Sequence, residues 1–276
     1  MLRDDIGALL AHYDLRSSPA ITASSHGLTI HPPKDLPAGT HLRWQLPAGG
    51  VTDLAGNAFV PLQDFAFSTN TRGGAGDEVF SMGRGELYLH GGAGIDTLAL
   101  LQARAAYTLD LRSSERQVIA KDGSGRLLMD GVERLRFADA QLALDTALDG
   151  HAGITALTLG AVFGPASVRA LPGHVGIGLQ HLDTGTTPLA LMQVALDARL
   201  GANASPQAVV DLLYFNVLGT QPTATEAAPY VALLADGSFT PASLGLMAAT
   251  SALNIEHIQL MGPGGLQDTG LVFSPA

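Results

Sequence analysis

The sequence contains no cysteine among its 276 residues and few cations, and both shortages exclude classes of function. Without cysteine there is no disulfide framework, thiol nucleophile or thiolate zinc site, so stability outside a cell must come from packing or from bound ions. Fifteen Lys and Arg stand against 25 Asp and Glu, which gives a formal net charge of −10. This balance disfavours nucleic acid and anionic membranes, which require a cationic face, and it suits the binding of cations.

Long hydrophobic runs are also absent, so we predict no transmembrane segment. Residues 1–16 are acidic near their start and lack the apolar core of a signal peptide. If the protein is exported to an extracellular or cell-surface location, its signal is therefore not a standard N-terminal one. Alternatively, the chain is a fragment of a longer protein.

Glycine, by contrast, is patterned: residues 73–99 read as the nonapeptides GGAGDEVFS, MGRGELYLH and GGAGIDTLA. The third fits the pattern G-G-x-G-x-D-x-U-x, with U apolar, at every fixed position. These positions are Gly91, Gly92, Gly94, Asp96 and Leu98. The pattern is typical of a calcium-binding parallel β-roll, in which successive repeats alternate between two sides. Residues 72–150 thus resemble a short block of the RTX (haemolysin-type) repeats of secreted bacterial proteins, closed by GVERLRFADAQLALD at 131–145.

The repeat spacing predicts one calcium (Ca²⁺) site. Turns 18 residues apart stack in such a roll, so the turns at 73–78 and 91–96 should hold an ion between them. Glycines let a turn take positive φ and direct carbonyl oxygens inward, while carboxylates supply charge. The candidate ligands are Gly74, Gly76, Asp77, Glu78, Gly92, Gly94 and Asp96, with Asp139 and Asp145 of the closing segment as further candidates.

Two qualifications belong to this site. The second repeat has Leu87 where the aspartate should be, so the opposite side of the roll should lack a site. With so few ligands, calcium affinity should be weak, with a Kd of about 10⁻⁴ to 10⁻³ M. The alternative left open is a vestigial roll whose glycines only form tight turns.

Residues 1–71 read as β-structure because polar and apolar residues alternate along them. The segments 28–32 (LTIHP), 35–40 (DLPAGT) and 53–57 (DLAGN) resemble the bacterial Ig-like domain of surface-layer and adhesin-like proteins. The resemblance implies a β-sandwich, but this chain starts after the first strands of that family. We expect an incomplete sandwich that either closes on itself or receives a strand from a neighbouring subunit, with 266–275 as the candidate donor.

Residues 151–276 change to helical periodicity, with Pro188, Pro206 and Pro241 expected at first helical positions. Their predicted N-caps are Thr187, Ser205 and Thr240. Gly176 and Gly178 argue against a rigid helix around them.

The helical region also contains an internal repeat. AVFG at 161–164 returns as NVLG at 216–219, and 182–196 returns about 53 residues later as 234–248. Two such units should stack, because neither buries its apolar face alone. The region resembles a helical domain of unknown function that follows RTX-type segments in secreted proteins.

The predicted fold class is α+β and multi-domain. It comprises an incomplete Ig-like β-sandwich (1–71), a short RTX-type parallel β-roll with following strands (72–150) and an all-α helical repeat domain (151–276).

No catalytic signature accompanies these regions. The G-x-S-x-G pattern fails at Ser81 and Ser124, and no phosphate loop is present, so we do not expect an enzyme. We expect a calcium-stabilised extracellular structural protein that self-associates in cell-surface, sheath or filament assembly. The alternatives are an adhesive module that binds a glycan or host surface through Tyr214, Phe215 and Tyr230, or an accessory domain of a secreted hydrolase.

Overall fold

A computed structural model describes residues 1–4, 7–14, 16–24, 27–37, 39–46, 52, 55–57, 65–112 and 115–275. The predicted α+β class is confirmed, since strands dominate up to residue 143 and helices dominate after it. In the described part of the chain, no helix is both long and apolar enough to cross a membrane.

The strands are β1 Leu2–Asp4, β2 Leu9–Ala11, β3 Ile21–Ser24, β4 Gly27–Ile30, β5 His41–Trp44, β6 Phe65–Ser68, β7 Thr71–Arg72, β8 Val79–Ser81, β9 Gly85–His90, β10 Thr97–Ala99, β11 Tyr107–Asp110, β12 Arg116–Ala120, β13 Gly125–Asp130, β14 Arg134–Arg136, β15 Gln141–Ala143 and β16 Leu271–Phe273. The helices are α1 His151–Phe163, α2 Ser167–Ala170, α3 Pro172–Asp183, α4 Pro188–Leu200, α5 Pro206–Leu218, α6 Ala224–Ala235, α7 Pro241–Ala249, α8 Ala252–His257 and α9 Leu266–Thr269.

The N-terminal part forms an antiparallel sheet in the order β2-β1-β5-β6, and β3 and β4 form a separate hairpin. Leu2 and Leu42 are fully buried on neighbouring strands of the sheet. The hairpin includes the start of the LTIHP segment. Asp53 and Leu54, which begin the DLAGN segment, lie outside the described residues.

The middle of the chain winds between two five-stranded sheets. One sheet has the order β11-β12-β13-β9-β7 and the other β16-β15-β14-β10-β8. The chain alternates between them, and the β7/β9/β13 and β8/β10/β14 contacts are parallel. Leucines from both sheets, including Leu89 and Leu98, share one hydrophobic cluster. Two layers around one core result, with the connecting turns stacked at their ends.

The other helices surround α1, and ten of its 13 residues are therefore buried. Helices α3, α4, α5, α7 and α8 all pack against it. The corresponding helices of the internal repeat touch each other, α1 with α5 and α4 with α7. One such contact is polar, since the Asn216 side chain donates to the carbonyl of Ala161 at 2.9 Å.

The predicted helix starts are confirmed. Pro188, Pro206 and Pro241 each occupy the first turn, and the hydroxyls of Thr187, Ser205 and Thr240 each accept a hydrogen bond from the backbone N–H of the third helical residue. Such caps satisfy N–H groups that have no partner inside the helix.

Gly176 and Gly178, which argued against a rigid helix, lie within the continuous helix α3 from Pro172 to Asp183. Gly178 is a contact residue: a Cβ there would lie 2.6 Å from Cγ2 of Thr155 on α1. The missing side chain lets α3 approach α1 closely, and this packing outweighs the poor helix propensity of glycine.

The C-terminal segment pairs within its own chain. Residues 266–275 form α9 and β16, and β16 pairs antiparallel with β15. Leu271 is buried in the helical core cluster, so this strand joins the sheets to the helices. Donation of the segment to a neighbouring subunit would break these contacts.

Two substitutions in α3 separate packing from propensity. We expect Gly178→Ala to lower the free energy of unfolding by about 1–3 kcal/mol, since the new methyl overlaps Thr155. Gly173→Ala is the matched control, because a Cβ at Gly173 meets nothing within 4 Å. It should leave stability unchanged or slightly higher. Urea unfolding measures both, and equal effects would contradict the close contact between α1 and α3.

Candidate metal centre

The turns at 73–78 and 91–96 stack as their spacing predicts. β7 pairs with β9 and β8 with β10 at an offset of 18 residues, as in Thr71 with Leu89 and Val79 with Thr97. Both ends of each turn are therefore fixed by a sheet. Between the turns, the N–H of Ala93 donates to the carbonyl of Gly74 at 3.0 Å.

The carboxylates of these turns accept hydrogen bonds from the backbone of neighbouring turns. Asp77 Oδ1 accepts from the N–H of Ile95 at 2.7 Å, and Asp96 Oδ1 accepts from the N–H of Glu78 at 2.9 Å. Glu78 Oε2 accepts from Gly74 within its own turn at 3.2 Å. Each acid thus ties one turn to the next or closes its own turn.

Asp96 has the most unusual environment of the predicted ligands. Its side chain is fully buried, and Oδ2 has no hydrogen-bond partner among the described residues. A buried carboxylate oxygen without a partner is costly, and it normally signals a proton, a water or an ion.

Glycine is required here because backbone oxygens occupy the space of a side chain. A Cβ on Gly91 would lie 1.7 Å from the carbonyl oxygen of Gly131 and 2.7 Å from Asp96 Oδ2. Carbonyl and carboxylate oxygens therefore converge beside Gly91. Gly92 and Gly94 have φ of 116° and 113°, as predicted for this turn. Gly74 and Gly76 do not have positive φ, so the first turn differs from the second.

A third turn, missed from the sequence, continues the stack. The N–H of Gly91 donates to the carbonyl of Asp130, and Glu133 Oε2 accepts from the N–H of Asp96 at 2.9 Å. Glu133 thus accepts from the N–H of Asp96 in the same way as Asp96 accepts from the N–H of Glu78. The sequence carried a signal, because GELYLHG at 85–91 returns as GRLLMDG at 125–131. The β11–β12 hairpin separates the two copies and hides the 18-residue step.

Burial governs the electrostatics of this third turn. It raises the pKa of Glu133; the hydrogen bond from the Asp96 backbone opposes the rise, and the charges of Asp145 and Asp96 add to it. Nearby, burial lowers the pKa of Arg116, while Glu133 and Asp145 oppose that change. Burial is thus the main cause of both shifts, and Asp145 interacts with both groups.

The structure does not bring Asp139 and Asp145 together with the glycine turns in the same way. Asp139 follows the far end of β14, where Oδ1 accepts from the N–H of Arg104 at 2.7 Å. Asp145 lies at the near end, because β15 runs back antiparallel. Its two oxygens bind Arg134 at 2.5 Å and the N–H of His151 at 3.0 Å.

Arg134 extends this contact into the helices. Its buried guanidinium also binds Asp183 on α3, at 2.8 and 3.1 Å, and Asp183 in turn contacts His151 Nδ1 at 2.7 Å. Buried ion pairs of this kind are costly to break singly, since the remaining charge is left without a partner. The junction of β14 with α1 and α3 is therefore ionic.

On the opposite side of the two sheets, Leu87 stands at the aspartate position of the second repeat. It lies on β9 and is buried in the hydrophobic cluster. Its side chain contributes to the core and has no oxygen to offer a cation.

The stacked turns fit a calcium ion only if backbone oxygens supply most of its ligands. Within the described ranges, no three Asp, Glu or His side chains come together as a metal cluster. Asp96 would therefore supply the main charge, with backbone carbonyl oxygens of the glycine turns as the other ligands. Calcium accepts such carbonyl-rich oxygen sets.

The aromatic residues predicted for glycan contact lie elsewhere, in the helical part. Tyr214 and Tyr230 line an apolar cleft of about 280 Å³ between α5, α6, α7 and α8. Burial raises the pKa of the Tyr214 phenol, and the hydrogen bond to Glu226 and the charge of Glu226 add to the rise. Phe215 is 46% exposed on α5.

Glu133 predicts a pH effect in calcium-free protein. Because its pKa is raised by folding, its contribution to stability is present at acidic pH and is lost as the pH rises through the raised pKa. Glu133→Gln removes this titration but keeps an oxygen that accepts from Asp96. We expect the free energy of unfolding of the wild type, relative to E133Q, to fall as the pH rises above the ordinary pKa of a glutamate, through the raised pKa of Glu133. Urea titrations with chelator measure it, and a flat or rising difference would contradict the burial of Glu133.

Comparison with known proteins yields no relative: no family model matches the chain, and no curated protein or solved structure is significantly similar to it. The function is therefore inferred from the stacked turns.

Proposed function

We propose that this protein is a non-catalytic, calcium-stabilised structural module of an extracellular or cell-surface bacterial protein. The observation that carries the proposal is the carboxylate of Asp96, which is fully buried beside glycine carbonyls and whose Oδ2 has no partner in the part of the chain that the structure describes. A hard cation at that point would supply the partner that the oxygen lacks.

The winding of the chain supports an RTX-type β-roll. Its parallel strands alternate between two sheets with an 18-residue offset in β7/β9 and β8/β10. The roll is short and ends in antiparallel strands, which limits it to few ion-binding turns. Calcium would act as a folding ligand, because it offsets the charge that Asp96 and Glu133 bring to one end of the sheets.

The flanking parts fit a scaffold. We assign the N-terminal sheet and hairpin to the Ig-like domain on the sequence resemblance, and the helices to a two-unit repeat in which corresponding helices touch. A chain of such modules would serve as a structural component in the assembly of a cell surface, sheath or filament.

Calcium should raise the melting temperature, and chelation should lower it. At ten to a hundred times the Kd, mass action contributes about 1.4 to 2.7 kcal/mol. In a chain of this size, this corresponds to roughly 3 to 10 °C. Differential scanning fluorimetry with calcium, magnesium or chelator measures the shift.

Two variants locate the effect. Asp96→Asn should abolish the calcium-dependent shift, whatever its effect on the calcium-free protein. Asp139→Asn, at the far end of β14, should retain it. An unchanged melting curve of the wild type with and without calcium at about 10 mM, ten times the weakest expected Kd, would contradict the calcium function.

A second candidate is an adhesive module, favoured by the cleft at Tyr214 and Tyr230. Apolar and aromatic walls with a few polar groups are usual in sites for small ligands. A glycan array separates the candidates: binding that Tyr230→Ala removes would favour adhesion, and an array without signal would count against it.

A further inference from the structure

The sheet that contains the candidate metal turns ends in an exposed edge at β8. Among the described residues no strand pairs with the outer side of β8. Val79 is 62% exposed, and Ser81 is exposed as well. Exposed edge strands are templates for pairing with another chain.

The ladder with β10 determines which backbone groups face outward. The N–H of Thr97 donates to the carbonyl of Glu78, and Thr97 is in register with Val79. In a parallel ladder, Glu78 and Phe80 therefore direct their groups towards β10. Val79 and Ser81 direct their N–H and C=O groups away from it, to the open edge.

An apolar cleft of about 250 Å³ lies beside this edge. Phe80, Leu87, Leu89 and Leu127 line it, although Leu87, Leu89 and Leu127 belong to the buried core cluster. Phe80 is in register with Leu98, whose side chain is fully buried. Among the described residues, the two sheets thus leave a cleft on the side of β8, bordered also by Gly39 and Thr71. It lies next to a strand whose Val79 and Ser81 offer four backbone groups that no described residue pairs with.

We propose that this edge binds a second copy of the chain, with β8 pairing antiparallel to β8 around a two-fold axis at Phe80. Val79 then lies opposite Ser81 of the second copy, so all the outward groups of both residues find partners. Phe80 lies opposite Phe80 of the second copy and enters the cleft over Leu89. The occupant is the same strand, which makes the contact isologous and closed.

Charge favours this orientation. Asp77 and Glu78 precede β8, whereas the exposed Arg84 follows it. Antiparallel pairing about Phe80 places Arg84 of one copy beside the turn of the other copy that contains Asp77 and Glu78. The two-fold axis generates a second, equivalent contact. A parallel pairing would place acid against acid. Opposite charges across strands stabilise such pairs, and like charges oppose them.

The proposed function includes self-association, and the pairing of β8 names the surface through which it occurs. The pairing therefore rests on the proposed function. The two are tested separately, because the pairing is read from the oligomeric state and the calcium function from the melting temperature. A monomer that still responds to calcium would overturn only the pairing.

The absence of cysteine allows a direct test by disulfide cross-linking of the full chain. Under mild copper–phenanthroline oxidation, Phe80→Cys should form a covalent dimer about tenfold faster than Val79→Cys, since only residues directly opposite meet disulfide geometry. Leu101→Cys, at a side chain 89% exposed, controls for random collision. Equal rates at the three positions would overturn the pairing.

A second measurement avoids any change to the core. In sedimentation velocity at high micromolar concentration, the wild type should contain dimer, and Arg84→Glu should weaken the dimer about threefold to tenfold. Arg199→Glu, on the exposed side of α4, should leave it unchanged. A wild type that is monomeric with and without calcium, or an equal effect of both variants, would overturn the proposal.

Discussion

The buried carboxylate of Asp96 is the constraint around which this end of the molecule is organised. The 18-residue offset of the parallel strands places one glycine turn on the next, and the absence of side chains lets the turns approach until backbone oxygens crowd Gly91. Oδ1 of Asp96 accepts from the N–H of Glu78, while the buried Oδ2 finds no partner among the residues that the structure describes. A charge in that position needs compensation, and a calcium ion among the carbonyls is the compensation we propose.

The same end of the sheets holds the helices. Glu133 receives the N–H of Asp96, and the next residue, Arg134, binds Asp145 and Asp183. Asp96 is therefore linked through Glu133 to Arg134, so a change of charge at Asp96 acts close to the ionic junction with α1 and α3. β16 adds an apolar link, since Leu271 is buried in the helical core. The charged contacts of Arg134 and the strand β16 thus both join the sheets to the helices.

The sequence was informative where spacing alone decides the structure. The stacking of the first two turns follows from the nonapeptide repeat, and the starts of α4, α5 and α7 follow from a cap followed by proline. It was uninformative where a long-range contact decides. Glu133 joins the stack although the β11–β12 hairpin separates the repeats, and Asp145 is bound by Arg134 and α1; no spacing rule predicts either contact. The glycines of α3 likewise mark close packing against α1.

Calcium binding to the purified chain, followed by isothermal titration calorimetry, tests the central claim most directly. We predict saturable binding with a Kd of about 10⁻⁴ to 10⁻³ M, and its loss when Asn replaces Asp96. Absence of binding to the wild type, or the same binding curve for both proteins, would contradict the assignment of Asp96 as the residue that holds the ion.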